Sequence, residues 1–338
     1  MSELVVIFGA GASFAAPNQK PINQIPPLTR DLFSKDYLES QHFMIDIKLI
    51  SPLFKTQDKP FEDFLKEVYE NLVNGKTPIS NKDTILDSLI QTIYYLQDLF
   101  YRLSAFYYPE KNVLTSYNAL VSELFKVYET MTFITFNYDT LLESTLKSIG
   151  FNFSSMDSFV DQSYKIIKPH GSCNWAYAHT EIPQKNDSFD TIIKKLENLR
   201  GEYVEINNTS TYANQSPLYS LLPCMAIPIN IENGCLMKKF VCPEDHVDIM
   251  KTELKNAKKI LIIGWAGNED HFGLVLNECC FSNEIQMLVI GNGNAHNTID
   301  NISCNFSKIR SIPYDKGFKE SLKDGTIKNF LINRVVFS

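Results

Sequence analysis

The sequence predicts a doubly wound α/β fold, in which a parallel sheet carries helices on both faces and a helical lobe is inserted after the first unit. Two observations predict it. Short, continuous apolar runs recur along the chain, at "LVVIF", "MTFITFNYD", "YKIIKPHGS", "MAIPIN", "KKILIIGWAG" and "IQMLVIGNGN", and such runs belong to strands buried on both faces. Stretches of helical period separate several of them, which is the alternation that a parallel sheet with crossover helices requires.

Leu4 to Phe8 reads as the first strand, ended by Gly9, Ala10, Gly11, Ala12 and Ser13. Small residues there leave the backbone bare, so that a phosphate can approach the main-chain amides. A helix is expected beyond this loop, after an extended segment held by Pro21, Pro26 and Pro27, with Thr29 as its cap and Asp31 in its first turn. The period then turns helical, with Leu86, Leu89, Ile90, Ile93, Tyr94, Gln97, Phe100 and Leu103 on one face, and the lobe spans roughly residues 40–130 of a single domain, 1–338. Its aromatic stretch "YYLQDLFYRLSAFYY" has the spacing of a core or a subunit interface rather than of a cofactor box. Further helices fall at "DTLLESTLKSIG", with Gly150 at its C-terminal cap, and at "PEDHVDIMKTELKNA". Residues 176–234, rich in Asn, Ser and Thr, read as the least structured part.

Composition excludes several function classes. A net charge of −7, from 32 basic and 39 acidic residues with no dense basic run, disfavours direct nucleic-acid binding. Seven cysteines, two of them adjacent at Cys279 and Cys280, fit free thiols in a reducing cytoplasm. Cys173, Cys224, Cys235 and Cys242 are separated by 50, 10 and 6 residues, which is not the spacing of a zinc ribbon, so no metal is expected. The apolar N-terminal run has Glu3 and no basic residue ahead of it and is broken by glycines, unlike a secretion signal. No run reaches the ~18 apolar residues of a membrane span.

Ligands of open parallel sheets sit at the carboxyl ends of the strands, and here those tips are polar. They read Gly9 to Ser13, Asn137-Tyr138-Asp139, His170-Gly171-Ser172, Gly264 to Asp270, and Gly291-Asn292-Gly293. The first departs from a dinucleotide fingerprint, because Phe14 stands at the third glycine position and Asp31 does not follow a second strand.

In this order, "GAGAS", "FNYDTLLE", "KPHGSCNW" and "IIGWAGNEDHF" resemble the sirtuin superfamily, and more closely the sirtuin-like NAD-consuming effectors of bacterial antiphage defence. The resemblance runs from Val5 to Asn292 and implies a sirtuin-like Rossmann variant that hydrolyses NAD to nicotinamide and ADP-ribose. It also implies a homo-oligomer or a separate activating protein, of hexameric ATPase or Argonaute type. Breaking the nicotinamide–ribose bond develops oxocarbenium character and expels a leaving group that is already cationic, so positioning and one base suffice. His170 is the candidate base, and Asn137 the residue that holds the ribose or the attacking water. Asp139 either stabilises positive charge near the ribose or caps the next helix.

Gly9, Ala10, Gly11 and Ser13 would cradle phosphate, Gly171 and Ser172 would allow close approach, and Gly264, Glu269, Asp270 and Asn292 would serve the adenosine end. Helix capping for Asp270 and a left-handed turn for Asn292 are the alternatives. Trp175 reads as core or as pocket wall, and His42, His179, His246, His271 and His296 as structural. The Asp-Phe-Arg segment and zinc ribbon of sirtuin deacylases are missing, which points to water as the acceptor. A deacylase and a non-catalytic sensor of NAD or ADP-ribose are the rival readings. Tyr101, Phe106 and Tyr107 are the expected oligomer contacts.

Overall fold

Six strands of apolar sequence close into one parallel sheet in the computed structural model, which describes residues 3–18, 20–38, 79–111, 113–178, 191, 202–205, 221–226, 240–279, 285–303 and 309–332. In chain order the strands are β1 (Leu4–Phe8), β2 (Met131–Thr135), β3 (Tyr164–Ile167), β4 (Gly171–Ala178), β5 (Glu202–Glu205), β6 (Leu221–Met225), β7 (Lys259–Ile263), β8 (Ile285–Ile290) and β9 (Ile309–Tyr314). The large sheet runs β3-β2-β1-β7-β8-β9, with every neighbouring pair parallel. Its central strands β1, β2 and β7 are buried at each position, the environment in which Val, Ile and Phe favour the pleated backbone. The chain leaves β1 on one side for β2 and β3 and returns on the other for β7, so the order reverses between β1 and β7. Ligands of such sheets bind at that reversal.

The helices are α1 (Ala10–Ala15), α2 (Lys35–Leu38), α3 (Ile79–Ala105), α4 (Ser116–Phe125), α5 (Leu141–Lys147), α6 (Glu244–Asn256), α7 (Asp270–Cys279), α8 (Ala295–Ser303), α9 (Phe318–Lys323) and α10 (Thr326–Leu331). Helix α1 starts directly on the glycine tip instead of after a loop, and Thr29–Asp31 forms a single 3-10 turn with no side-chain cap. Helix α5 has its C-terminal cap at Ser148, and Gly150, in the left-handed region at φ +101, lies two residues beyond the cap rather than at it. Helix α4 opens with a reciprocal capping box between Thr115 and Asn118.

Of the inserted lobe, residues 40–78 lie outside the described residues. Helix α3 packs on β4, where Gln97 Nε2 donates to the Trp175 carbonyl at 3.1 Å. Helix α4 reaches the main sheet, with Tyr117 edge-on to Phe8 at 5.2 Å.

Two expectations need correcting. Residues 176–234 are not simply unstructured: β4, β5 and β6 form a second, antiparallel sheet in the order β5-β4-β6, and its alternating pattern is hard to see in a polar sequence. The aromatic stretch, for its part, is mostly spent inside the chain. Tyr101 and Tyr107 are buried in the core, the Tyr107 hydroxyl donates to the Gln24 carbonyl at 2.5 Å, and Phe106 alone of the three is exposed. Tyr101 and Tyr107 are therefore unavailable as oligomer contacts. The same burial holds the proline segment: Tyr95 donates to the Leu32 carbonyl at 2.7 Å and Tyr37 to that of Ile25 at 2.8 Å.

Among the described residues, no helix is long and apolar enough to cross a membrane, and no group of His, Cys, Asp and Glu comes together as a metal site. Among the described residues, Cys173, Cys242 and Cys279 are free thiols.

Candidate functional site

The tip of β1 is sewn to the tip of β7. Gly9 N–H donates to the Ile263 carbonyl at 3.1 Å and Gly11 N–H to that of Gly264 at 3.0 Å. A Cβ on Gly9 would come 2.5 Å from Trp265 Cα, and one on Gly264, at φ +62, would come 2.3 Å from the Ala12 nitrogen. Contact between two main chains therefore accounts for these glycines, and the Gly11 amide already has an acceptor within the protein. On Gly11 the added carbon would sit 3.0 Å from Gly264 Cα, so a branched side chain must push α1 off β7. Gly11→Val is expected to lower the unfolding temperature, at a cost of about 1–3 kcal/mol, together with ligand affinity. Thermal unfolding beside calorimetry checks this, and an unchanged melting temperature would refute the packing role.

The tip of β2 reaches the same place. Asn137 Nδ2 donates to Ser13 Oγ at 2.9 Å and more weakly to the Tyr117 hydroxyl at 3.5 Å, while Ser13 and Tyr117 bond each other at 3.0 Å. Asp139 stands one residue before Thr140, the N-cap of α5, and its Oδ1 accepts the Leu141 N–H at 3.1 Å. Its Oδ2 is buried without a hydrogen-bond partner. Burial pushes the Asp139 carboxyl above the usual range, against the opposing pull of Lys168 and of the Ser13 hydroxyl.

Lys168 directly follows β3 with its side chain wholly buried, and Nζ donates to the Asp139 carbonyl at 2.6 Å and to Glu143 Oε1 at 2.7 Å. The tips of β2 and β3 are joined again where Cys173 N–H donates to the Tyr138 carbonyl at 2.8 Å.

His170 stands next on the β3 tip, partly buried. Its ring meets Phe136 edge-on at 4.9 Å, and Phe136 stacks on Trp265 at 5.3 Å and meets Phe272 at 5.0 Å. Loss of water among these rings brings the imidazole down to about 4. The backbone here is fixed by Ala226 N–H on the His170 carbonyl at 2.8 Å and Val241 N–H on that of Pro169 at 2.9 Å. Gly171 is required by its φ of +78 and by Cys224, whose carbonyl oxygen would lie 1.9 Å from a Cβ. Ser172 is wholly buried, and its hydroxyl donates to Asn174 Oδ1 at 2.6 Å. Trp175 is core, packed on Phe159 and His246, and His246 Nε2 donates to the Met156 carbonyl at 3.1 Å.

At the β7 tip Trp265 Nε1 donates to the Glu269 carboxylate, and Asp270 is the first residue of α7. Asn292, on the β8 tip, is exposed, and the left-handed turn falls at Gly293, with φ +86, instead. The structure thus brings together Gly9, Ala10, Gly11, Ser13, Asn137, Asp139, His170 and Gly264, whereas Asn292 makes none of these contacts. Tyr117, Glu143 and Lys168 belong to the cluster although sequence reasoning passed over them. Lys168 carried a signal, since a lysine directly after a buried strand needs a buried carboxylate.

No family model matches the chain, and no curated protein sequence matches it. Among solved structures, a Sir2 homologue in complex with NAD is 14% identical, with 98% of this chain and 90% of that chain covered and a TM-score of 0.45. A mutant Sir2 homologue in complex with 2'-O-acetyl ADP-ribose is also 14% identical, with 99% and 94% covered and a TM-score of 0.45.

Proposed function

We propose that this protein is a cytoplasmic NAD glycohydrolase, which cleaves the nicotinamide–ribose bond at the joined tips of β1, β2, β3 and β7. One observation supports the reading above the others. An Asn137 amide tethered to Ser13 and a neutral His170 imidazole stand on adjoining strand tips, linked through Phe136. The Asn137 carbonyl oxygen, which makes no hydrogen bond to the described residues, accepts from a ribose hydroxyl or from the attacking water. His170 takes the proton of that water as its oxygen bonds to the ribose carbon. The glycosidic bond breaks with its electron pair passing to the ring nitrogen, and neutral nicotinamide leaves. The order of the motifs further suggests NAD depletion in antiphage defence, released by self-assembly or by a separate ATPase- or Argonaute-type protein.

Incubation with NAD, alone and beside an acyl-lysine peptide, tests the reading. Nicotinamide release without peptide is expected. Release only with peptide would make the protein a deacylase, and binding without release a sensor.

The pH profile gives a second check. A base works only unprotonated, and burial moves His170 from 6.5 down to about 4, so the acid limb of kcat/KM is expected near pH 4 with a plateau through neutrality. A limb near the unperturbed imidazole value would show that the His170 ring keeps its water, and a limb that persists in His170→Ala would remove His170 as the base. The stability linkage has a related sign. With the folded value below the unfolded one, the unfolded chain binds more protons between the two, so His170's contribution is complete above the unfolded value and is lost as pH falls toward 4.

A further inference from the structure

We infer that Tyr117 is a positioning residue of this site: through Ser13 it fixes which end of the Asn137 side-chain amide faces the ligand. The inference rests on the proposed function only for the identity of that ligand.

An asparagine amide has two ends of similar shape and opposite polarity, so its orientation must be imposed by its neighbours. Here Nδ2 points at two hydroxyl oxygens, Ser13 Oγ at 2.9 Å and Tyr117 OH at 3.5 Å. Hydroxyls can donate as well as accept, and by themselves they would tolerate the reversed amide. The tie is broken by their own 3.0 Å contact, which uses one of the two hydroxyl protons. A carbonyl oxygen in the place of Nδ2 would then accept from one hydroxyl at most, whereas Nδ2, with two protons, donates to the lone pairs of both. The Asn137 carbonyl oxygen is then the end offered to the ligand.

Tyr117 is built to hold this direction. It is fully buried, and burial raises its phenol well above the ordinary value, so it keeps its proton. Its ring is clamped edge-on by Phe8 of β1 at 5.2 Å and Phe318 of α9 at 6.0 Å. The start of α4 is anchored to the end of α1 by Ser116 N–H on the Ala16 carbonyl at 2.9 Å. The hydroxyl therefore cannot drift from Ser13.

Tyr117→Phe removes the hydroxyl and keeps the ring. With asparagine as the only 15N-labelled residue, the Asn137 side-chain pair is assigned by its disappearance in Asn137→Asp. Tyr117→Phe is expected to shift that pair and speed its hydrogen exchange while the other asparagine signals stay in place. In turnover with NAD, kcat should fall about five- to tenfold, KM should change by less than about twofold, and Tyr117→Phe should add no further loss to Asn137→Ala. An unchanged Asn137 pair in folded Tyr117→Phe, or losses that multiply in the double variant, would overturn the inference. If Tyr117→Phe does not fold, Ser13→Ala breaks the bridge from its other end, and the same signal must move. A wild-type protein that releases no nicotinamide would end the proposed function, while the amide signal would still decide the role of Tyr117.

Discussion

His170→Ala and Asn137→Ala are each expected to slow nicotinamide release by about a hundredfold or more, the usual contribution of a positioned base or of a residue that holds the reacting group. The two losses arise differently. Without His170 the attacking water keeps its proton; His246 is buried and bonded to Met156, and His296 is exposed beside Asp315. Without Asn137 the base remains but the oxygen it should activate is no longer held. The His170 ring lies partly exposed against Phe136, so its removal should leave the fold intact. Asn137→Ala also frees Ser13 and Tyr117, which still bond each other at 3.0 Å, so the unfolding temperature should fall only slightly. Product chromatography beside thermal unfolding decides both cases. A folded variant that still releases nicotinamide at a near-normal rate takes its residue out of the mechanism.

Asn137 and His170 were legible in the sequence because each lies just beyond the end of a largely apolar strand, β2 ending at Thr135 and β3 at Ile167, and the order of such tips along a parallel sheet can be read from the chain. Five strands of the large sheet were legible for the same reason, whereas β9, Ile309–Tyr314, is an edge strand with no fully buried residue and gave no continuous apolar run. Tyr117 was not, since its partner Ser13 lies 104 residues away and a tyrosine at helical spacing reads as core. Gly9 and Gly11 were noticed as an opening for a ligand, yet their closest neighbours are Gly264 and Trp265, a contact that only the assembled sheet reveals. The "MAIPIN" run read as a strand of the parallel sheet, whereas its Met225 ends β6 of the antiparallel sheet, and β4 and β5 escaped notice because antiparallel pairing needs only one apolar face. Trp175 could have faced either the pocket or the core, and only packing against Phe159 and His246 placed it.

Lys168→Met is expected to destabilise the fold by about 3–5 kcal/mol, the cost of leaving a buried charge without its partner. Lys168 is wholly buried and Glu143 nearly so, with Nζ on Glu143 Oε1 at 2.7 Å and on the Asp139 carbonyl at 2.6 Å. Removing the ammonium strands two carboxyl groups, Glu143 and Asp139, in a region that water does not reach. It also releases the Asp139 carbonyl, two residues beyond Asn137, so that the site should loosen along with the core. The double variant Lys168→Met/Glu143→Leu removes both charges of the pair and should recover most of the lost stability, because apolar residues of similar volume replace a buried ion pair at little net cost. The pH dependence follows from Asp139, whose carboxyl burial already raises and Lys168 holds down. Without Lys168 it rises further above its unfolded value, so the unfolded chain loses its proton first and Lys168→Met loses stability as pH increases through that interval. Urea unfolding of the wild type, the single variant and the double variant, at mildly acidic and at neutral pH, measures all of this. A single variant within about 1 kcal/mol of wild type at neutral pH would place the pair in the class of ion pairs that contribute little, and Lys168 would then have no part in holding the β2 and β3 tips together.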